Sequence, residues 1–257
     1  MTADANADDA VTPLVLVIPT LNEEAALPVT LAAIAERLDR EHPIVVADCG
    51  SWDRTTAIAR RHGCYVVSGP TLTGRGTALR AGADFALDTF PDAGVIWLLH
   101  ADTLPPRTGD AALLQHLSDN PGTAGGAFQQ RFDTEGLTPA QRRGLRFVSF
   151  CNRMRYRVSG TYFGDQGLFV RADVLRAIGG VPENALFEDI ELCRAIKKHG
   201  RLDLLPARIV TSPRRFVDNG ILKQVADDWR PLRKHRRGRL STQDTDAYNQ
   251  VNRGTSL

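Results

Sequence analysis

The sequence predicts a single α/β domain whose mostly parallel central sheet is flanked by helices. Three observations carry that expectation. Short apolar, β-branched-rich runs recur at residues 14–18, 44–47, 65–68 and 95–99, as buried parallel strands do. Stretches with helical spacing separate them, and strand and helix in alternation imply a parallel sheet covered on both faces. Asn22 and Glu23, Asp48, and Asp102 each come just after one of these runs, where ligands bind in such sheets.

The first strand, residues 14–18, is closed by Pro19, and Leu27, Leu31, Ile34 and Leu38 then repeat at helical spacing over residues 25–38. Pro43 introduces the second strand at 44–47. A helix over 51–62 ends at Gly63, a strand follows at 65–68, a helix at 76–86, and a fourth strand at 95–99. Beyond Gly125 the pattern loosens into a strand over 125–132, an arginine-rich helix over 139–158, a Gly-Asp-Gln-Gly turn into a short strand, and a helix over 188–199 capped by Gly200.

With 42% hydrophobic and 24% charged residues, the 257-residue chain has globular composition. No run reaches the roughly 18 apolar residues of a membrane span. The start, MTADANADDAVT, is acidic and small, so residues 1–12 are expected to be a disordered tail and not a signal peptide. Cys49, Cys64, Cys151 and Cys193 form no CxxC pair. They point away from zinc and disulfides and toward a reducing cytoplasm. The net charge of +2 hides six cations and no acid between Arg230 and Arg239. That run is either a solvated tail or a contact for anionic lipid; no recognition motif accompanies it, so nucleic acid is not expected as a partner.

Several motifs then stand in order: VIPTLNEE at 17–24, VVADCGSWDRT at 45–55, GRGTALRAG at 74–82, LLHADT at 98–103, GDQGLFVR at 164–171, FEDIELCRAI at 187–196 and SPRRF at 212–216. Over residues 14–216 the chain resembles glycosyltransferase family 2, which implies the Rossmann-like GT-A fold and sugar transfer from a nucleotide-activated donor. The resemblance implies a domain over 13–217, with a nucleotide-binding half at 13–104 and an acceptor half at 105–217, followed by a helical, basic tail at 218–257. It implies nucleotide-sugar contacts from Pro19, Thr20, Asn22, Glu23, Asp48, Arg75 and Asp102. Cys49 stands where the family has a second acid, which leaves the choice of base open. Asp53 is expected to organise the turn or cap the next helix.

A departing diphosphate calls for a divalent cation on hard oxygen ligands, and Asp102 is the candidate ligand for Mg2+ or Mn2+. His100 replaces the first acid of the family's Asp-x-Asp motif. The HAD form, with GDQG and SPRR later, is similar to a bacterial subgroup found near arsenosugar-type biosynthesis genes. Inverting transfer needs a base on the side opposite the diphosphate. Asp189 is that candidate, oriented by Glu188, with a helix start favouring its ionised form. Gly164, Asp165 and Gln166 are read as an acceptor or donor-sugar loop with a plain turn as the alternative, and Arg214 and Arg215 as neutralising the diphosphate. The competing functions are a nucleotidyltransferase, disfavoured because PTLNEEAAL lacks a glycine-rich basic phosphate loop, and a non-catalytic nucleotide-sugar-binding protein.

In the arginine-rich helix, Arg142, Arg146, Arg153 and Arg157 fall in one stripe beside a second of Phe147, Cys151, Met154 and Val158. Adjoining stripes suit a lipid-linked acceptor and peripheral contact with an anionic membrane at its inner face. The alternative is that the apolar stripe packs inward.

Overall fold

The computed structural model describes residues 13–183 and 187–236, so the expected tail at 1–12 and the end of the basic run lie outside the described residues. Strand β1 (Leu14–Thr20) is almost wholly buried. Its alternating side chains feed two cores: Val15 and Val17 join one cluster, and Leu14, Leu16 and Ile18 the other. Helix α1 (Leu27–Arg37) covers the second cluster, and β2 (Ile44–Asp48) pairs parallel to β1. Helix α2 (Thr55–Arg61), β3 (Tyr65–Ser68) and α3 (Arg75–Thr89) continue the alternation, and β4 (Val95–Leu98) runs parallel on the other side of β1. In α3, a Cβ on Gly82 would come within 2.6 Å of Val17 Cγ1 and 3.0 Å of Ala47 Cβ. The missing side chain lets the helix lie directly on the sheet.

The second half adds β5 (Thr103–Leu104), α4 (Gly109–Asp119), β6 (Thr123–Phe132), α5 (Pro139–Ser159), β7 (Phe169–Arg171), α6 (Ala172–Ala177), α7 (Glu188–Ile196), β8 (Arg201–Thr211), α8 (Arg214–Asp218) and α9 (Ile221–Arg236). The eight strands form one sheet in the order β3-β2-β1-β4-β7-β6-β8-β5. Strands β7 and β5 run antiparallel to their neighbours, while β6 and β8 are parallel. The sheet is therefore mixed beyond β4.

Strand β8 was not anticipated from the sequence because Pro206 interrupts it. The register steps from Phe128↔Leu205 to Gln129↔Arg208, which leaves Pro206 and Ala207 unpaired in a bulge, a place where a strand tolerates proline. Helix α7 is shorter than expected, ending at Ile196 and not at 199. Residues 221–236, expected within a helical, basic tail, form α9, which packs against α5; a Cβ on Gly144 would lie 2.7 Å from Ile221 Cδ1. In α5, Leu145 and Val148 turn inward, whereas Phe147, Phe150 and Met154 are exposed by 67%, 54% and 42%. Cys151 is half-buried, and the side chain of Val158 lies outside what is described. Phe147 and Met154 thus point outward with the arginines. No helix among the described residues is long and apolar enough to cross a membrane.

Candidate active site

The carboxyl ends of β1 and β2 carry two loops that are tied together. Asn22, held at a φ of 53°, donates its N–H to Ser51 Oγ (2.8 Å) and accepts the Trp52 N–H at Oδ1 (3.1 Å). Asp48 accepts from Thr20 Oγ1, the N–H groups of Gly50 and Ser51, and Ser51 Oγ. Four donors on one buried carboxylate make it the organiser of this corner. Asp53 accepts the N–H of Thr55 at the first residue of α2 (2.9 Å) and that of Glu24. Burial alone would raise its pKa, but the bonds from Thr55 and Glu24 outweigh it and hold the carboxyl below its ordinary value. Pro19 ends the buried run next to Thr20.

Glu23 and Asp102 come from different loops and share one cation. The Arg214 guanidinium donates to both oxygens of Glu23, at 2.9 Å from Nη1 and 2.5 Å from Nη2, and its Nε lies 3.3 Å from Asp102 Oδ2. Burial holds both carboxyls above their ordinary values, and Arg214 offsets only part of that rise. Arg215, on the next residue, lies 3.5 Å from Asp228 of α9.

Across the cavity, α7 begins at Phe187, a left-handed residue with a φ of 65°, and presents Glu188 and Asp189, both buried. Asp189 Oδ2 accepts the Gly164 N–H (3.1 Å), and Oδ1 accepts that of Ile190 (2.8 Å). The Arg75 Nε donates to Glu188 Oε1, and its Nη2 lies 3.9 Å from Asp189. Arg75 therefore meets the acids of the second half, 113 residues away in sequence. Desolvation, then the negative charge of Glu188, pushes the Asp189 carboxyl up to about 7, against Arg75 and the two N–H bonds. The helix start was expected to favour the ionised form; burial outweighs it.

His100, at the end of β4, packs its Nε2 against Gly164, where a Cβ would lie 2.4 Å away. That nitrogen is buried with no hydrogen-bond partner among the described residues. Burial, then the charges of Arg75, Arg215 and Arg214, pulls its pKa down to about 3, so the ring is neutral. Gly164, Asp165 and Gln166 form one 3-10 turn. Gln166 is spent on the fold: Oε1 accepts from the Phe163 N–H (3.1 Å) and Nε2 donates to the Phe128 carbonyl (3.4 Å). Asp165 lines the cavity instead.

The cavity, about 190 Å3, brings together Arg75, His100, Asp102, Asp165, Asp189 and Arg215. Asn22, Glu23 and Asp48 belong to the adjoining loops. Sequence reasoning missed the contribution of α9, whose Val225, Asp228, Trp229 and Leu232 complete the wall. The available signal was the Asp-Trp pair inside an amphipathic stretch, but it lay past the last recognisable motif. As for a metal, Asp102 is the hard-oxygen donor on this wall, and no three His, Cys, Asp or Glu converge among the described residues. One carboxylate suffices for a cation such as Mg2+ only where substrate phosphates and water complete the shell, and Asp102 lies 3.3 Å from the Arg214 Nε.

The family model described as Glycosyl transferase family 2 matches residues 15–178. Uncharacterized glycosyltransferases of Mycobacterium tuberculosis and Mycobacterium bovis are 45% identical over 76 residues, covering 30% of this chain and 31% of each relative. The match spans about a third of those relatives' length. The crystal structure of S. aureus TarS 1-349 in complex with UDP-GlcNAc is similar with a TM-score of 0.59 at 16% identity, over 78% of this chain and 58% of that one. The mannosyltransferase PcManGT from Pyrobaculum calidifontis, in complex with GDP-Man and Mn2+, is similar with a TM-score of 0.56 at 17% identity, over 95% and 72% of the two chains.

Proposed function

The chain belongs to glycosyl transferase family 2 and has the GT-A fold, and from that premise we propose that it moves a sugar from a nucleotide-sugar donor to an acceptor hydroxyl by a metal-assisted, inverting displacement. The observation that carries the reading is one cavity lined by Asp102 from the loop after β4 and Asp189 from the start of α7. The loops holding Pro19, Thr20, Asn22, Glu23 and Asp48 receive the nucleoside. Asp189 takes the proton of the acceptor hydroxyl, whose oxygen attacks the anomeric carbon from the face opposite the diphosphate. As the new C–O bond forms, the bond to the diphosphate breaks and its electron pair leaves with the nucleoside diphosphate.

Glu188 holds Arg75 beside the base, and Arg75 stabilises the ionised form that accepts the proton. Arg214 and Arg215 stand where charge grows on the diphosphate. Asp102 would hold Mg2+ or Mn2+, which supplies Lewis-acid neutralisation of the phosphates when bound. The exposed Arg146, Arg153 and Arg157 beside Phe147, Phe150 and Met154 support peripheral contact with an anionic membrane and a lipid-linked acceptor.

The test is a thermal-shift panel of UDP-, GDP- and dTDP-sugars with and without Mn2+, since a ligand of the folded state raises apparent stability. One donor is expected to stabilise the chain more with Mn2+ than without. Asp102→Ala should lose the metal-stimulated part while melting near wild type without ligand. Equal stabilisation of both proteins with Mn2+ would sink the metal role of Asp102.

A further inference from the structure

The walls of the cavity divide by chemistry. The strand ends at His100, Asp102 and Thr211, the turn at Gly164 and Asp165, and the helix starts that carry Arg75, Asp189 and Arg215 supply the polar groups where transfer takes place. The rest is apolar: Phe132, Val148, Phe216 and Val225 belong to one cluster, with Phe132 and Phe216 edge to face at 5.0 Å, and Leu232 belongs to a second with Phe163 and Phe187. The polar side chains that α5 and α9 contribute to the lining are Asn152 and Asp228, and Asp228 is already engaged by Arg215 and by Gln224 Nε2 (2.8 Å). An oligosaccharide held there would leave most of its hydroxyls facing hydrocarbon, which is costly for buried polar groups.

Trp229 stands in this wall with half its surface exposed. On the outer surfaces of the same two helices, Phe147, Phe150 and Leu222 are exposed, and residues 139–159 hold arginines with no acid. We infer that the acceptor is an amphiphilic alcohol, with its hydroxyl at Asp189 and its hydrocarbon tail along the apolar walls between α5 and α9. The inference rests on the transferase reading for what happens at the hydroxyl. The tail site itself rests on the cavity. Trp229 positions the tail where it leaves the protein, beside helix faces suited to a lipid headgroup layer.

Two probes with one head group separate tail from head: octyl β-glucoside below its micelle concentration, and methyl β-glucoside, each titrated calorimetrically into the full chain. The octyl compound is expected to bind at least tenfold tighter, about 1.4 kcal/mol, which is what roughly two buried methylenes supply. Trp229→Ala should lose most of that advantage and Trp229→Phe keep it, with both variants melting near wild type because the side chain is half exposed. Equal affinity for the two glucosides overturns the tail site, as does an octyl preference that Trp229→Ala leaves intact. An octyl preference in a chain that no nucleotide sugar stabilises overturns the transferase reading and leaves the tail site standing.

Discussion

As the proposed base, Asp189 sits where two demands on a carboxylate conflict. A base must be ionised, yet burial and the adjacent Glu188 push its pKa up to about 7. Transfer is therefore expected to rise with pH through neutrality and level off above it, measured as kcat/KM between pH 5.5 and 9. A flat profile would remove Asp189 as the base. Asp189→Asn should keep donor affinity while kcat falls by about two to four orders of magnitude. Because the folded pKa lies above the unfolded one, the group's stabilising contribution is complete below the ordinary carboxyl range and is lost as pH rises through about 7. The Asn variant should accordingly melt no lower than wild type at pH 8. The place of Asp189 at a helix start was legible in FEDIE. Its bond to the Gly164 N–H and its neighbour Arg75 were not, since those contacts join segments far apart in the chain. His100 was legible as a departure from an acidic motif; its neutrality comes first from burial and then from three arginines brought near by the fold.

Among the elements, α3 shows how packing reaches the site. Gly82 lets it lie on Val17 and Ala47, and its first residue, Arg75, reaches the acids at the start of α7. Gly82→Ala would put a methyl inside van der Waals contact of β1 and β2, so it should lower unfolding free energy by about 1–3 kcal/mol despite the better helix propensity of alanine. The midpoint of urea unfolding measures this. An unchanged or higher midpoint would mean that the helix shifts without cost. The first four strands were readable because each is a short apolar run bounded by turn residues. Strand β5 spans only Thr103–Leu104, too short for any periodicity, and β8 is broken by its bulge. Helix α9 is expected as part of a helical, basic tail; its place in the cavity wall was not legible, because that rests on Val225, Asp228, Trp229 and Leu232 sharing one face and meeting segments far away in the chain.

At the scale of the molecule, the loop after β4 lines the cavity, the loop after β1 adjoins it through the Arg214 bridge from Glu23 to Asp102, and α5 and α9 supply further wall. That arrangement determines which surface a membrane would meet. Exposed Arg142, Arg143, Arg146, Arg153 and Arg157 lie on α5 with no acid in the helix, interleaved with exposed Phe147, Phe150 and Met154. A solvated structural helix has no use for three large apolar side chains on its outer face, whereas an interfacial helix needs both kinds. The chain is expected to co-sediment with vesicles of phosphatidylglycerol and phosphatidylcholine in equal parts at low salt, and much less at high salt or with phosphatidylcholine alone, because screening shortens the reach of exposed charges. Replacing Arg146, Arg153 and Arg157 together by Gln removes about 1 kcal/mol of attraction each, so the bound fraction should fall on the order of a hundredfold in partition coefficient. Phe147→Ser with Phe150→Ser should instead weaken binding at every salt concentration, since the apolar contribution is not screened. The two variants therefore separate charge from hydrocarbon in one assay. If the folded, donor-binding protein stays in the supernatant with anionic vesicles at low salt, α5 does not meet a bilayer, and an amphiphilic acceptor would have to reach the cavity as a monomer from solution.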